Sequence, residues 1–351
     1  MNTYKAAIFI VAFTFPHQLK KIMFKNYFLN ALLIVLLCGM ISCEALGQTP
    51  TQSIQLQLLE TNLSEDEKNQ AVINIQKRLE SLGAEHVSIA MQQGQNMTFH
   101  YHGDIKPETF EKSFSRAGKL EFFEVCQQKT KLIEYLLSKD KNTANEKEDV
   151  SVSEALFGKK TIFERLKIAQ AYHDVGYVFG YISQKNKDTS AKMLIQEKPV
   201  YVPMFKKYVK FVLGKNSANN KYEVYAVYVS PEGKAAINES YVVEATAQRS
   251  HYNVDLYNVF IKMNEEGTKL WFEMTQHAYE TRGNIAVVVD DEVYSTPSVS
   301  MGAITGGGCE ITASLPKEEA VVLANAIQSG SIPQVKILKM AALDDASSRK
   351  N

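Results

Sequence analysis

From residue 53 onward the apolar positions fall into two alternating periods. Ile54, Leu56 and Leu58 alternate with Gln55 and Gln57, which predicts a half-buried strand. Val72, Ile75, Leu79 and Leu82 recur at helical spacing. Ser64 and Glu67 stand ahead of them as a capping-box pair, and Gly83 closes the segment, so a helix is expected there. Val87 to Met91 and Met97 to Tyr101 read as two strands around a turn at residues 92–96. Pro107 opens a second helix with Phe110, Phe114 and Ala117 facing inward, and Gly118 ends it. Leu120 to Val125 is a further strand. The order βαββαβ is the split arrangement of ferredoxin-like folds, so the class expected is α+β.

The middle of the chain carries a weaker pattern. Lys139 to Asp149 is polar and charged, as a solvated loop would be, and Thr161 to His173 is compatible with a helix. Val200 to Leu213, Tyr222 to Val229 and Val259 to Met263 read as apolar strands. Asn264 caps a helix whose Leu270, Met274 and Ala278 share a face. Residues 282–333 then give the densest signal. Asn284 to Val289 is a β-branched run, Asp290-Asp291-Glu292 interrupts it, and Val293-Tyr294-Ser295 resumes extended structure until Pro297: a hairpin. Gly306-Gly307-Gly308 leads into the alternating Glu310-Ile311-Thr312. A helix follows, with Pro316 at its first position, Glu318 and Glu319 at its electropositive end and Gly330 at its stop. Gln334 to Leu338 is a final strand, and residues 341–351 read as a frayed tail.

The first 43 residues belong to targeting rather than to the fold. Tyr27 to Ile41 is an apolar run behind Lys25, ending in Gly39-Met40-Ile41-Ser42-Cys43. Ser42-Cys43 resembles a bacterial lipobox, with Met40 where leucine is usual, which implies cleavage before Cys43 and lipid on that residue. An ordinary secretory peptide cut near Ala45 to Gly47 is the alternative. Met23 is a second candidate start, because the segment from Met23 is already a complete signal. No later stretch is apolar and long enough for a membrane span. The whole chain balances 39 basic against 39 acidic side chains; beyond Cys43 the count is 35 against 39. That balance excludes the overall basic character of a nucleic-acid binder. Cys126 and Cys309 remain, without a spacing pattern, and are read as two separate thiols.

The 282–333 stretch resembles the head of the first periplasmic domain of the SecD family, the Sec-translocon accessory proteins. The resemblance rests on Val289-Asp290, Val293-Tyr294-Ser295-Thr296-Pro297, Ile304-Thr305-Gly306-Gly307, Glu318-Glu319-Ala320, Leu323-Ala324, Gly330 and Pro333, in that order and spacing. Asp291 departs from the pattern, since the family usually has the turn glycine there. Upstream, Glu266-Gly267, Trp271 and Thr275 match a family helix, and Gly118-Lys119-Leu120-Glu121-Phe122 matches the closing strand of the family's base subdomain. The resemblance implies a ferredoxin-like base with an inserted α+β head and a last strand returning to the base sheet. It implies the division 1–43 signal, 44–52 tether, 53–126 base, 127–331 connecting segment and head, 332–340 return strand and 341–351 tail. Family members continue into transmembrane helices, which are not expected here.

Catalytic patterns are weak. His100 and His102 share a strand face, but no acid or cysteine stands at ligand spacing. The glycine triplet lacks the Lys-Ser/Thr of a phosphate loop and is read as close packing or a tight turn. No cofactor or metal is expected, and no enzyme activity. The function implied by the resemblance is a polypeptide-binding module of the envelope, periplasm-facing and lipid-anchored to a membrane. It would act on unfolded or translocating chains, with Sec components as possible partners and no nucleic acid. The head signature residues are Asp290, Ser295, Pro297, Ile304, Thr305, Gly306 and Gly307. Two other readings stay open, a structural lipoprotein unrelated to secretion and an undetected hydrolase. If Cys43 carries lipid, Cys43→Ser should release the protein from membranes in a radiolabelled-lipid assay. A lipid-free wild-type N-terminus near Gly47 would overturn that assignment.

Overall fold

The computed structural model describes residues 51–91, 94–142, 161–171 and 176–343. The first strand, β1 (Thr51–Leu58), buries Ile54, Leu56 and Leu58 on alternate positions. Helix α1 (Glu65–Ser81) starts with both halves of the capping box, as Glu67 accepts from the Ser64 amide while the Ser64 hydroxyl accepts from the Glu67 amide. Strands β2 (Glu85–Met91) and β3 (Asn96–His102) and helix α2 (Pro107–Phe114) complete the N-terminal part of the base.

The next strand goes elsewhere. β4 (Leu120–Glu124) pairs with neither β1 nor β3 but enters a nine-stranded sheet. The fourth place in the base sheet is taken by the C-terminal strand β16 (Val335–Leu343), giving the order β16-β1-β3-β2, antiparallel throughout. The ferredoxin-like βαββαβ arrangement therefore stands, with its last strand supplied from the end of the chain rather than from residues 120–125. Leu58 faces Val335 and Leu56 faces Ile337. Strand β16 runs to Leu343, so residues 341–343 belong to the sheet and not to a tail.

Between β4 and β16 the chain builds two further assemblies. One contains α3 (Lys129–Asn142), α4 (Ile162–Leu166), β5 (Ala169–Gln170), β6 (Val178–Ser183), α5 (Lys187–Gln196), β7 (Val200–Val202), β8 (Lys207–Ala218) and β9 (Lys221–Val229). The helix expected over Thr161 to His173 is thus a short helix followed by a strand. The single strand expected over Val200 to Leu213 is a hairpin, broken at Pro203, where the missing amide ends pairing. Residues 139–142, expected in a loop, close α3, and residues 143–149 lie outside the described residues. This assembly has its own core, with Leu132, Phe163, Phe179, Leu194, Val209 and Phe211 among its members.

The other assembly, the head, starts with β10 (Ile237–Asn238) and contains β11 (Val242–Arg249), β12 (Tyr257–Met263), α6 (Glu265–Thr281), β13 (Ile285–Val289), β14 (Glu292–Ser295), β15 (Gly308–Leu315) and α7 (Lys317–Ser329). Strands β11-β12-β15 make a separate three-stranded sheet, while β13 and β14 join the large sheet beside β4. That sheet curls on itself: Val125 forms an antiparallel bridge to Val227, and the Cys126 amide donates to the Ala226 carbonyl at 2.8 Å. The alternation along β13 splits accordingly. Ala286 and Val288 pack inside the curl, and Ile285, Val287 and Val289 pack outward beneath Trp271 of α6 and Leu323 of α7.

Arg78 ties the base to the head. It is fully buried on α1. It donates to Ser329 Oγ at 3.0 Å and to the carbonyls of Ser113, Arg116, Ala117, Ala326 and Gly330. These are the carboxyl ends of α2 and α7, where carbonyls lack helical partners. Burial brings the guanidinium down to about 10, so it stays charged at neutral pH. Gly118 packs beside it at φ 81, where an added Cβ would fall 2.4 Å from the Ala326 oxygen. Arg78→Met, which keeps the stem and removes the donors, should cost about 3 kcal/mol or more in urea unfolding, because several buried acceptors lose their partner. Arg165→Met, at an exposed ion pair with Glu197, should stay within about 0.5 kcal/mol. Equal stability of the two variants would contradict this account.

Candidate functional site

The β13–β14 hairpin turns on two residues, Asp290 at φ 51 and Asp291 at φ 64. Both are left-handed, as a type I′ turn requires, so aspartate fills the place where glycine is more comfortable. A tertiary contact holds it there. Asp290 Oδ1 accepts from the amides of Gly118 at 2.8 Å and Lys119 at 3.0 Å, and the Asp290 amide donates to the Lys119 carbonyl at 2.9 Å. Asp291 pairs with Lys119 Nζ at 3.0 Å, and the same ammonium meets Glu121 at 2.9 Å. Asp290 is thus a fastener between the hairpin tip and the strand after α2. Ser295 ends β14 with its hydroxyl buried and lacking a hydrogen-bond partner, and Pro297 is exposed while its carbonyl accepts from Ile285 at 3.0 Å.

The remaining signature residues sit on the loop that follows, laid along α6. The Ile304 amide donates to Thr275 Oγ1 at 3.0 Å. Gly307, at φ 63, presses on Thr268, where an added Cβ would fall 2.1 Å from Oγ1. Thr268 and Thr275 are seven residues apart and so on one line of the helix. This track accounts for Gly307: the Thr275 hydroxyl takes the Ile304 amide, and two turns earlier only glycine lets the backbone come down on Thr268. Gly306 meets nothing within 4 Å, so its freedom is not demanded by packing. The loop presents apolar surface. Met301 is 98% exposed and Ile304 38%, and Phe272 and Tyr279, roughly 40° to one side of the threonine line, are 40% and 45% exposed. The seven signature residues therefore do not converge on one cleft. Asp290 is at the base junction, Pro297 is beside the start of β13, and Ile304 and Gly307 meet α6 at Thr275 and Thr268. Cys43 lies outside the described residues.

A second feature had no local sequence signal. Glu124, at the end of β4, accepts from Lys207 Nζ at 2.9 Å through Oε2, and His277 Nδ1 of α6 lies 3.0 Å from Oε1. These groups border a cavity of about 290 Å³ with Met204, Phe205, Tyr228 and Asn284. Three residues separated by 83 and 153 positions give no spacing to find in a sequence. Both carboxylate oxygens are thus engaged by cationic or ring N–H groups of the protein. Tyr228 donates to Cys126 Sγ at 3.4 Å, and burial pushes that thiol up, so it is protonated and a weak nucleophile. His102 is 3.1 Å from Thr51 Oγ1 rather than part of a ligand set, and among the described residues no group of three or more His, Cys, Asp or Glu is arranged to hold a metal. Nor does any described helix have the length and apolarity to cross a membrane.

A hairpin docked on a ferredoxin-like base, followed by a glycine loop on a capped helix, defines an α+β domain of base-and-head type. Residues 215–334 match the family described as SecDF, P1 head subdomain. The SecD subunit of the protein translocase of Streptomyces coelicolor is 35% identical over 104 residues, 29% of this chain and 18% of that protein. The corresponding subunit of Calditerrivibrio nitroreducens is 38% identical over 106 residues, 30% of this chain and 20% of that protein. The chain thus spans about a fifth of the curated relatives it matches. A solved structure described as a membrane component SecDF that enhances protein export superposes at a TM-score of 0.47 and 17% identity, over 83% of this chain and all of that one. The assignment rests on the sequence matches and not on that superposition. Residues 215–334 are thus similar to the SecDF P1 head subdomain, over a stretch that takes in the end of β8 and all of β9 as well as the head described above.

Asp290 gives a pH test of the junction. Burial holds its carboxyl above the ordinary 3.8, against the pull of the Lys119 and Gly118 amides and of Arg116 and Arg78. The folded protein therefore takes this proton more readily than the unfolded chain. The stability tied to the group is fully present below pH 3.8 and is lost as pH rises through the raised folded value. Against Asp290→Asn, which cannot titrate, the wild type should lose stability just above pH 3.8 and then hold a constant difference through neutrality. Urea unfolding of both proteins across this range checks it, and a flat difference would refute it.

Proposed function

We propose that this protein is a non-catalytic, polypeptide-holding module linked to protein export, anchored at the envelope through lipid on Cys43. The observation that supports it is the ledge on α6, where the glycine loop presents Met301 and Ile304 beside Phe272 and Tyr279. Exposed apolar side chains over a fixed backbone suit contact with extended, partly apolar chain. The open edges of the β11-β12-β15 sheet offer backbone groups to an added strand. At β11 one outward amide, that of Ala245, is already taken by the Gln328 side chain at 3.1 Å. The signature residues act in this reading as supports: Asp290 fixes the hairpin, Ser295 and Pro297 end it, and Ile304, Thr305, Gly306 and Gly307 carry the loop. The domain limits proposed with it follow the chain's own order, a base from residue 53, a connecting segment and head to residue 331, and a return strand after it. SecD relatives are translocase subunits, so translocating chains and Sec components are the partners proposed, and no cofactor is required.

The affinity expected is micromolar, on the order of −8 kcal/mol, as suits reversible holding. Titration of a labelled, unfolded secretory peptide against the protein measures it. Met301→Ser with Ile304→Ser should weaken binding about tenfold or more, since each removes an exposed apolar contact without touching the core. Binding that is absent at high protein concentration, or unchanged in the double variant, would refute the ledge and favour a structural lipoprotein unrelated to secretion.

A further inference from the structure

The neutral total conceals a partition of charge. Residues 127–234 carry 19 Lys and Arg against 12 Asp and Glu, whereas residues 44–126 and 235–351 together carry 16 against 27. The basic excess belongs to the assembly with its own core between β4 and the head. Two reverse turns lie at one end of its sheet. The β7–β8 hairpin turns at residues 203–206, immediately before β8, and the turn at residues 230–234 follows β9, whose Val229 pairs with Tyr208 near the start of β8. Pro199 packs on Gly233, which brings the segment after α5 to the same end. Lys198, Lys206 and Lys234 are therefore neighbours in the fold, all exposed, and none makes an ion pair among the described residues. The acids there are Glu197, paired with Arg165 at 3.2 Å, Glu124, held by Lys207 and His277, Glu232 in the same turn as Lys234, and Glu67 at the start of α1, which is close enough to feel the Lys234 charge. On the same β7–β8 hairpin, Tyr201 is 43% and Met204 56% exposed, with the Tyr201 ring 5.0 Å from that of Tyr208.

We propose that this end of the connecting assembly docks on an anionic phospholipid surface. Lysines beside an exposed tyrosine and methionine are the pattern of an interfacial contact, with ammonium groups at the headgroups and apolar tips below them. The acidic remainder of the chain is repelled by the same surface, which orients the protein with the basic end down. Neither the ledge on α6 nor any contact with polypeptide enters this argument, so the two are tested separately.

The test is co-sedimentation of residues 44–351, which hold every described element and leave out the apolar run of Tyr27 to Ile41 and Cys43, with vesicles of phosphatidylcholine alone or mixed with phosphatidylglycerol. Binding should require the anionic lipid and fall with salt. Lys198→Glu, Lys206→Glu and Lys234→Glu together should reduce it at least about tenfold. Tyr201→Ser with Met204→Ser should reduce it at unchanged charge. Lys112→Glu, Lys336→Glu and Lys339→Glu, an equal change of net charge on exposed positions of the base, should leave it near the parent. Circular dichroism of each variant checks folding. Equal binding to neutral vesicles, or equal losses from the two lysine triples, would overturn the proposal. So would self-association that the first triple abolishes in the absence of vesicle binding, since the basic end would then meet a second copy.

Discussion

The Arg78 guanidinium sits at the point where the discontinuous base and the head meet, and the rest of the architecture depends on that contact. A charge with no exposure is tolerable only if its donors are filled, and six acceptors fill them. The acceptors are mostly the loose carbonyls ending α2 and α7. One side chain thereby stops two helices and fixes how they approach α1. Gly118 and Gly330 are its consequences. At φ 81 and 86 they turn the chain away from the helix ends, and each has a polar neighbour closer than a Cβ permits. Asn74, one helical turn before Arg78, donates to the Ser331 carbonyl at 2.8 Å and holds the chain as it leaves for β16.

This arrangement gives α7 two partners. Ala320, Leu323, Ala324 and Ile327 belong to the head core, while Ala326 and Ser329 lie against Arg78. The Asp290 fastener adds a second tie between the same parts, from the hairpin tip to the strand after α2. The head is therefore attached through a shared helix and at several polar points, Arg116 donating to the Tyr294 hydroxyl at 2.8 Å among them. The connecting assembly, by contrast, has a separate core and joins the head through the curled sheet, with Glu124 reaching both Lys207 and His277 across the seam. The ledge on α6 and the basic end of the connecting assembly are thus carried by different cores.

What the sequence determined by itself was local. The capping box at Ser64 and Glu67, the Asn264 cap, the alternation in β1 and the acidic hairpin were legible because each is fixed by neighbours a few residues apart. The family resemblance extended that reading to a head and a base, because motif order survives where pairwise contacts cannot be seen. Tertiary structure decided the rest. Leu120 to Glu124 has the pattern of a base strand, yet β16 competes for the same edge of β1 and the strand joins β13 instead. Strand propensity says that a segment pairs and does not say with what. Asp291 adopts the left-handed turn because Gly118 and Lys119, from another part of the chain, hold Asp290 through their amides and Asp291 through the Lys119 ammonium. The Glu124 cluster comes from residues far apart in sequence, and Lys198, Lys206 and Lys234 meet because two reverse turns fall at one end of the sheet, which only its pairing decides.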